Sequence, residues 1–377
     1  MDFSFTEEQQ AAAEAARGVF AGVAPDAVPS PALAPGAVAE DFDRALWARL
    51  ADADLLSLLL AEEHGGAGLD AVALCLVLRE AAGVLARVPL LEHSAALAVL
   101  QAYGGQELRS GLLARAGRGE AVLTVAAHGR TGHDPAELAV TARRDGAEWV
   151  LEGVQTAVPW AFDVDLLVVP ASADGDRTVL AVVPPGQAGV GLAEQYSTSG
   201  ERLGEVRLDG ARLGGRDVVE AAGAWERLRE LLTVGTCALA LGLGTRVLRM
   251  TSEYTGRREQ FGHPLATFQA VAVQAADRYI DVRAMEVTLW QAAWRIATQA
   301  QGALPVAGDV AVAKIWASEG VRRIVQTAQH LHGGFGADVD YPLHRYHAWA
   351  KQLELALGPA AAHEEALGDL LAAHQLG

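Results

Sequence analysis

The sequence predicts a mainly α-helical protein with a small β-domain at its centre: an all-helical unit over 1–118, a β-barrel or sandwich over 119–222, and a four-helix bundle over 223–377. Three observations predict it. Long segments with apolar residues at helical spacing occupy both ends of the chain. Near Glu120 they give way to short apolar or β-branched runs separated by Gly, Asp and Pro, and from Trp225 the long amphipathic pattern returns.

Thr6 followed by Gln9 fits a capping box, so the Ala-rich stretch from Glu7 to about Gly22 reads as the first helix. Prolines between Pro25 and Pro35 then interrupt any helix. Segments Asp41 to Leu60, Leu69 to Leu85 and Glu92 to Tyr103 carry helical spacing. The short runs Val122–Val125, Ala139–Ala142, Trp149–Leu151, Leu166–Val169, Thr178–Val183 and Gly204–Leu208 read as strands. Four long helices follow, roughly Trp225–Thr255, Leu265–Gln299, Gly308–Leu331 and Tyr341–His374, joined by short connections as in an antiparallel bundle. Gly242 and Gly244 weaken the first of these as an isolated helix, which points to close packing against a neighbour.

Composition narrows the function classes. The 377 residues are 51% hydrophobic and 20% charged, enough to bury a sizeable core in two or three domains. A formal charge of −17 argues against nucleic-acid or anionic-membrane partners, because the long-range field repels polyphosphate. Two cysteines, Cys75 and Cys237, lie far apart in apolar sequence with no C-x-x-C spacing, so no disulfide framework or zinc site is indicated, and a reducing cytoplasm fits. The N-terminus lacks the features of a signal peptide, and no uninterrupted apolar stretch approaches the roughly 20 residues that span a bilayer. His330, His332, His344 and His347 lack the carboxylate or cysteine partners that would complete a tetrahedral metal set. Trp290, Trp294 and Trp316 read as core or interface, and Arg257, Arg322 and Arg323 read equally as phosphate-facing or ordinary interface charge.

Several motifs stand in register along this framework. They are Asp2-Phe3-Ser4-Phe5-Thr6-Glu7-Glu8-Gln9, Glu62-Glu63-His64-Gly65-Gly66-Ala67-Gly68-Leu69-Asp70, Arg258-Glu259-Gln260-Phe261-Gly262 with Phe268-Gln269, Ala313-Lys314 with Ser318-Glu319, His332-Gly333-Gly334-Phe335-Gly336, and Tyr341-Pro342. Together with the order of the segments, they resemble the acyl-CoA dehydrogenase family over the whole chain. The resemblance implies that fold, FAD as cofactor and an acyl-CoA thioester as substrate. It also implies that Arg258, Gln260, Phe261, Leu265, Phe268 and Gln269, with the loop His330, Leu331, His332, Gly333 and Gly334, hold the pyrophosphate and adenosine end of an FAD bound mainly by a neighbouring subunit. The chemistry suits that role. A guanidinium is a permanent planar cation for phosphate oxygens, a phenyl ring offers a flat face, and glycine lets the backbone come close.

The chain departs from the family where a member serves its own active site. Leu357 stands where the family's catalytic Glu is common, and Leu232 stands at the alternative base position, with Thr233 where an acyl-CoA-contacting arginine is usual. The usual flavin loop is replaced near Val125-Ala126-Ala127-His128-Gly129-Arg130-Thr131-Gly132, and the usual Trp-Ile-Thr strand becomes Ala157-Val158-Pro159, where proline has no N–H to offer a flavin. Residues serving a neighbour's cofactor are present while those serving the chain's own are altered. That combination resembles the base-lacking second subunit of heteromeric α2β2 bacterial acyl-CoA dehydrogenases, with no catalytic residue of its own. Two alternatives stay open: a homo-oligomer with a base relocated to Glu230 or Glu354, and a flavin-free structural or regulatory protein. The Gly65-Gly66-Ala67-Gly68 run follows a helix rather than a strand and reads as a turn, not as a dinucleotide fingerprint.

Overall fold

The computed structural model describes residues 4–25, 39, 41–131, 137–174 and 177–374. Much of the Pro25–Pro35 connection, Asp2 and Phe3 of the opening motif, and Gly132 of the replaced flavin loop lie outside the described residues.

The first helical unit contains α1 (Glu7–Phe20), α2 (Arg44–Asp52), α3 (Ala71–Gly83), α4 (Leu90–Tyr103) and α5 (Gln106–Gly117). The capping box at α1 forms as the sequence predicts: the Thr6 hydroxyl accepts from the Gln9 N–H at 3.2 Å, and the Gln9 side-chain oxygen accepts from the Thr6 N–H at 3.0 Å. Gln9 also donates to Asp70, whose Oδ1 accepts the N–H groups of Val72 and Ala73 at the start of α3. Two of the family-like motifs therefore act structurally, tying α1 to the capped end of α3. Gly66 follows for a steric reason, since a Cβ there would sit 2.1 Å from the Leu60 carbonyl oxygen. The predicted helix Asp41–Leu60 is shorter than expected. It ends at Asp52, and Asp54 turns the chain at a φ of 57° before an irregular segment that still buries Leu55, Leu56, Leu58 and Leu60. Burial there is achieved without regular hydrogen bonding, which periodicity does not distinguish from a helix.

The middle segment forms one eight-stranded, mixed sheet in the order β6-β7-β3-β2-β4-β5-β8, with β1 pairing in parallel on β4. Its strands are β1 (Leu123–Val125), β2 (Val140–Asp145), β3 (Glu148–Pro159), β4 (Leu166–Ala173), β5 (Arg177–Val183), β6 (Val190–Tyr196), β7 (Arg202–Gly214) and β8 (Val218–Val219). β3 and β7 are much longer than the runs that signalled them, because register shifts at Leu151/Glu152 and between Gln155 and Val158 break the alternation that marks a strand. A separate apolar core under this sheet contains Trp149, Leu151, Leu167, Val169 and Val206.

The C-terminal segment begins with α6 (Ala224–Arg257), followed by a two-strand hairpin of β9 (Glu259–Gln260) and β10 (His263–Pro264), then α7 (Gln269–Thr298), α8 (Val306–His332), α9 (Leu343–Leu355) and α10 (Ala360–Ala373). Its fourth predicted helix is two helices. Leu357 at φ 57° and Gly358 at φ 97° break it just before Pro359. The main apolar core runs continuously through both helical segments, with α6 at its centre. Helix α6 is long and apolar enough to cross a bilayer by length and composition, but 78% of that stretch is buried inside the fold. Gly242 permits its closest approach, because a Cβ there would lie 2.1 Å from the Arg79 carbonyl oxygen of α3. At Gly244 a Cβ would lie 3.0 Å from Ile324 of α8.

Candidate functional site

Helix α6 ends where Arg258 leaves the α region, its N–H still bonded to the Tyr254 carbonyl at 2.8 Å. The next residues form the hairpin, with Gln260 opposite His263 and Glu259 opposite Pro264. Phe261 and Gly262 turn it at φ values of 54° and 81°, the two successive positive angles of a tight hairpin turn. For glycine that conformation is easy; for phenylalanine it is strained. The strain presents the Phe261 ring to solvent at 91% exposure, edge to face with Phe268 at a centroid distance of 6.4 Å. Leu265 closes the segment by donating its N–H to the Arg258 carbonyl at 2.8 Å, and Gln269 opens α7 as an exposed residue.

The second predicted segment lies alongside. Tyr254, one turn before Arg258, stacks on His332 at 4.3 Å and on Phe335 at 5.4 Å. This aromatic stack joins the end of α6 to the loop after α8, and the sequence reading did not single it out. His330, Gly333 and Gly334 are exposed, Leu331 is half-buried, and a Cβ at either glycine would meet nothing within 4 Å. His332 is different from the rest of the predicted set. Its ring is buried, with Nδ1 on the Ala328 carbonyl at 2.7 Å and Nε2 on the Tyr341 hydroxyl at 3.1 Å, so its imidazole braces the loop and does not face outward. Burial lowers its pKa, against the backbone hydrogen bond to Ala328. Gln329, the residue before His330, donates to the Gly333 carbonyl at 2.9 Å and holds the loop's curvature.

These two segments form an exposed edge with a permanent cation at Arg258, aromatic faces at Phe261 and Phe268, and open glycine backbone at 333–334. The donor set and the free space fit the pyrophosphate and adenosine end of FAD. Of the other histidines weighed as metal ligands, His344 is engaged locally, its Nδ1 with the Tyr341 carbonyl at 2.8 Å. Arg323 pairs with Asp281 at 2.7 Å and Arg322 with Glu319, so both serve the bundle's own acidic residues.

The positions expected for a catalytic base converge elsewhere. Leu232 of α6 and Leu357 after α9 both line a cavity of about 380 Å³ between α3, α4, the sheet, α6 and α9. Leu357 is held there firmly. Buried Lys314 donates to Ser318 Oγ at 2.7 Å and to the carbonyls of Leu353 and Glu354 at 3.1 Å, while His363 engages the Leu357 carbonyl at 2.8 Å. The Ala313-Lys314 and Ser318-Glu319 motif thus fastens the C-terminal end of α9. Burial lowers the Lys314 ammonium to about 8 and the His363 imidazole to about 4.

On the sheet side of this cavity the groups that would face a flavin ring are committed internally. The Gly129 N–H donates to Gln155 Oε1 and the Ala157 N–H to Gln195 Oε1, both at 2.8 Å. The Thr156 hydroxyl donates to the carbonyls of Gly129 and Arg130, Pro159 has no N–H, and Ala157 and Trp160 take positive φ values of 53° and 60°. Among the described residues, these donors are already engaged and are not offered to an isoalloxazine ring.

Neither relocated-base candidate lines the cavity. Glu354 accepts from Lys351 at 2.6 Å, and Glu230, its pKa raised by burial, lies 3.9 Å from Arg227. Among the described residues, the carboxylates that do line it are Glu201, paired through both oxygens with Arg87 at 2.7 and 3.0 Å, and Glu92. Burial pushes the Glu92 carboxyl up to about 7, against hydrogen bonds from its own backbone and from the Trp160 side chain. Sequence reasoning missed it because an acidic residue in the first turn of α4 looks like an ordinary solvated helix-start charge.

The family model for the acyl-CoA dehydrogenase N-terminal domain matches residues 6–120, and that for the acyl-CoA dehydrogenase C-terminal domain matches 215–371. The acyl-CoA dehydrogenase FadE27 of Mycobacterium tuberculosis is 39% identical over 342 residues, covering 88% of this chain and 89% of the relative. Among solved structures, the ChsE4-ChsE5 complex from Mycobacterium tuberculosis superposes with a TM-score of 0.89 at 35% identity over 99% of both chains. A variant of the Tcur3481-Tcur3483 steroid ACAD does so at 0.88 and 35%, covering 97% of this chain and 98% of that one. The chain belongs to the acyl-CoA dehydrogenase family, oxidoreductases that act on acyl-CoA thioesters.

Proposed function

We propose that this chain is one subunit of a heteromeric acyl-CoA dehydrogenase, and that it completes the FAD site of a homologous partner that carries the catalytic base. The observation that carries the reading is the contrast between two places in one chain. The edge built from Arg258, Phe261, Phe268 and the 333–334 glycines is open and outward-facing, while the cavity where a base belongs is lined by Leu232 and Leu357. Leucine takes no proton, and the adjoining sheet has spent its donors on Gln155 and Gln195. Similarity to the ChsE4-ChsE5 complex supports assembly with a different chain.

In this reading Arg258 neutralises phosphate charge, Phe261 and Phe268 shield the adenosine end from water, and the loop at Gly333 and Gly334 comes close through its backbone. A bound FAD would supply the hydride acceptor for the β-carbon of the acyl thioester, and the α-proton would go to the partner's carboxylate. The fit of the chain's own residues is testable without turnover. Co-purified with a homologous chain encoded nearby, the wild-type complex should carry flavin, and Arg258→Ala should lower flavin content at least about tenfold in retention under dilution. Full flavin loading with acyl-CoA-dependent dye reduction by the isolated chain would instead establish a self-sufficient enzyme. A complex with no flavin absorbance would establish a structural or regulatory role.

A further inference from the structure

We propose that the cavity beside Glu92 is a binding site for a neutral, apolar ligand bearing a hydroxyl group, with Glu92 accepting the hydroxyl's hydrogen bond. This does not rest on the reading of the flavin-facing edge.

The cavity's volume of about 380 Å³ lies within the range of small-molecule pockets, roughly 300–1,000 Å³. Its floor is apolar and fully buried, built from Leu78, Leu90, Leu232, Leu353 and Leu357. Its rim carries the more exposed Tyr196, Lys351 and Leu355. A pocket of this kind takes its affinity from the apolar body of a ligand and its orientation from a few polar groups.

The polar groups are largely committed. The Thr236 hydroxyl donates to the Leu232 carbonyl at 2.9 Å, Gln352 Oε1 accepts from Ser199 at 2.6 Å, and Glu201 is held by Arg87. Glu92 is held on one side by the Trp160 side chain, and its carboxyl keeps further acceptor capacity toward the space it lines. Trp160 itself takes a φ of 60°, a conformation that a bulky residue adopts only when its surroundings impose it.

The chemistry of the surroundings selects the ligand class. An acid would set its charge against Glu92. An amine would have to pass Lys351 and Arg202 at the cavity wall. A neutral hydroxyl gives its proton to the carboxyl oxygen and leaves the apolar body against the leucines.

The test uses a matched pair differing by one hydroxyl, 1-naphthalenemethanol and 1-methylnaphthalene, with dissociation constants measured by ligand-observed NMR on the full chain as it assembles. At roughly pH 9, above the raised Glu92 value, the wild type should bind the alcohol about tenfold tighter or better, the discrimination expected of one hydrogen bond to a charged acceptor. Glu92→Leu should bring the two affinities within about twofold while retaining 1-methylnaphthalene, which shows that the variant pocket is intact. Glu92→Gln, which keeps an acceptor oxygen, should preserve part of the preference. Leu232→Trp, which fills the floor, should abolish both. Absence of binding, equal affinity in the wild type, an unchanged preference in Glu92→Leu, or binding that survives Leu232→Trp would each overturn the proposal.

Discussion

Glu92 and His93 are adjacent in α4 yet respond to burial in opposite directions. Burial raises the Glu92 carboxyl to about 7 and lowers the His93 imidazole to about 4, since in each case the charged form is the one that loses hydration. His93 is a structural link, accepting the Leu123 N–H at Nδ1 and facing the Ala116 carbonyl with Nε2. The signs follow directly. The raised Glu92 value contributes stability that is fully present below the ordinary carboxylate pKa and is lost as pH rises through about 7. The lowered His93 and His363 values contribute stability that is present above the ordinary imidazole pKa and is lost as pH falls through about 4. His128, Glu201, Arg202 and Lys351 also line the cavity with Glu92. Glu92→Gln should therefore raise the urea midpoint relative to wild type at pH 8 but not at pH 5, by up to roughly 3 kcal/mol. A difference between the two proteins that is constant with pH would contradict a buried ionising carboxyl. Leu357 and Leu232 were legible from sequence because they break a motif, whereas Glu92 breaks none, and Trp160 and the cavity walls from the sheet, α6 and α9 reach it only through the fold.

Elements show a similar division. The Arg258–Gly262 segment stood out as a short family-like motif, and its turn is local, with two successive positive φ angles at Phe261 and Gly262 closing the hairpin. What places it beside the 333–334 loop is Tyr254, stacked on His332 and Phe335, and nothing local announces that contact. Tyr254→Ala should loosen the edge, lowering flavin retention in the assembled protein several-fold with little change in far-UV circular dichroism. The close crossing of α3 and α6 is more demanding. Gly242→Ala drives a methyl group into the Arg79 carbonyl and should destabilise the chain by about 2–4 kcal/mol, read as a lower unfolding temperature. Helix α5 and strand β6 escaped the sequence reading for a physical reason. Gln106–Gly117 contains Ser110 and Gly111 on a largely exposed surface, and Val190–Tyr196 is a partly to fully exposed edge strand, so burial imposed no clear apolar period on either.

At the scale of the whole molecule, α7 carries an unusual surface for a protein of net charge −17. Val273, Ile280 and Val287 recur every seventh residue and are 51%, 61% and 51% exposed, with Tyr279 beside them at 59%. Apolar stripes of this kind favour contact with another subunit, and this one lies on α7, which follows directly on Phe268. Ile280→Lys should shift the assembled protein toward smaller species in analytical ultracentrifugation while leaving the chain's helix content intact. The amino-acid sequence by itself determined the order of helical and sheet segments and the family, and it singled out the Arg258–Gly262 motif proposed to face a flavin. Each depends on local periodicity, on turn-forming residues or on short motifs, and all of these are properties of neighbours along the chain. The tertiary structure alone decided that the fourth bundle helix breaks at Leu357, that His332 turns inward, that the donors of the sheet face are spent on Gln155 and Gln195, and that Glu92 lines a cavity. Those outcomes depend on which distant groups compete for the same hydrogen bonds and the same space, and that competition is settled only when the segments pack.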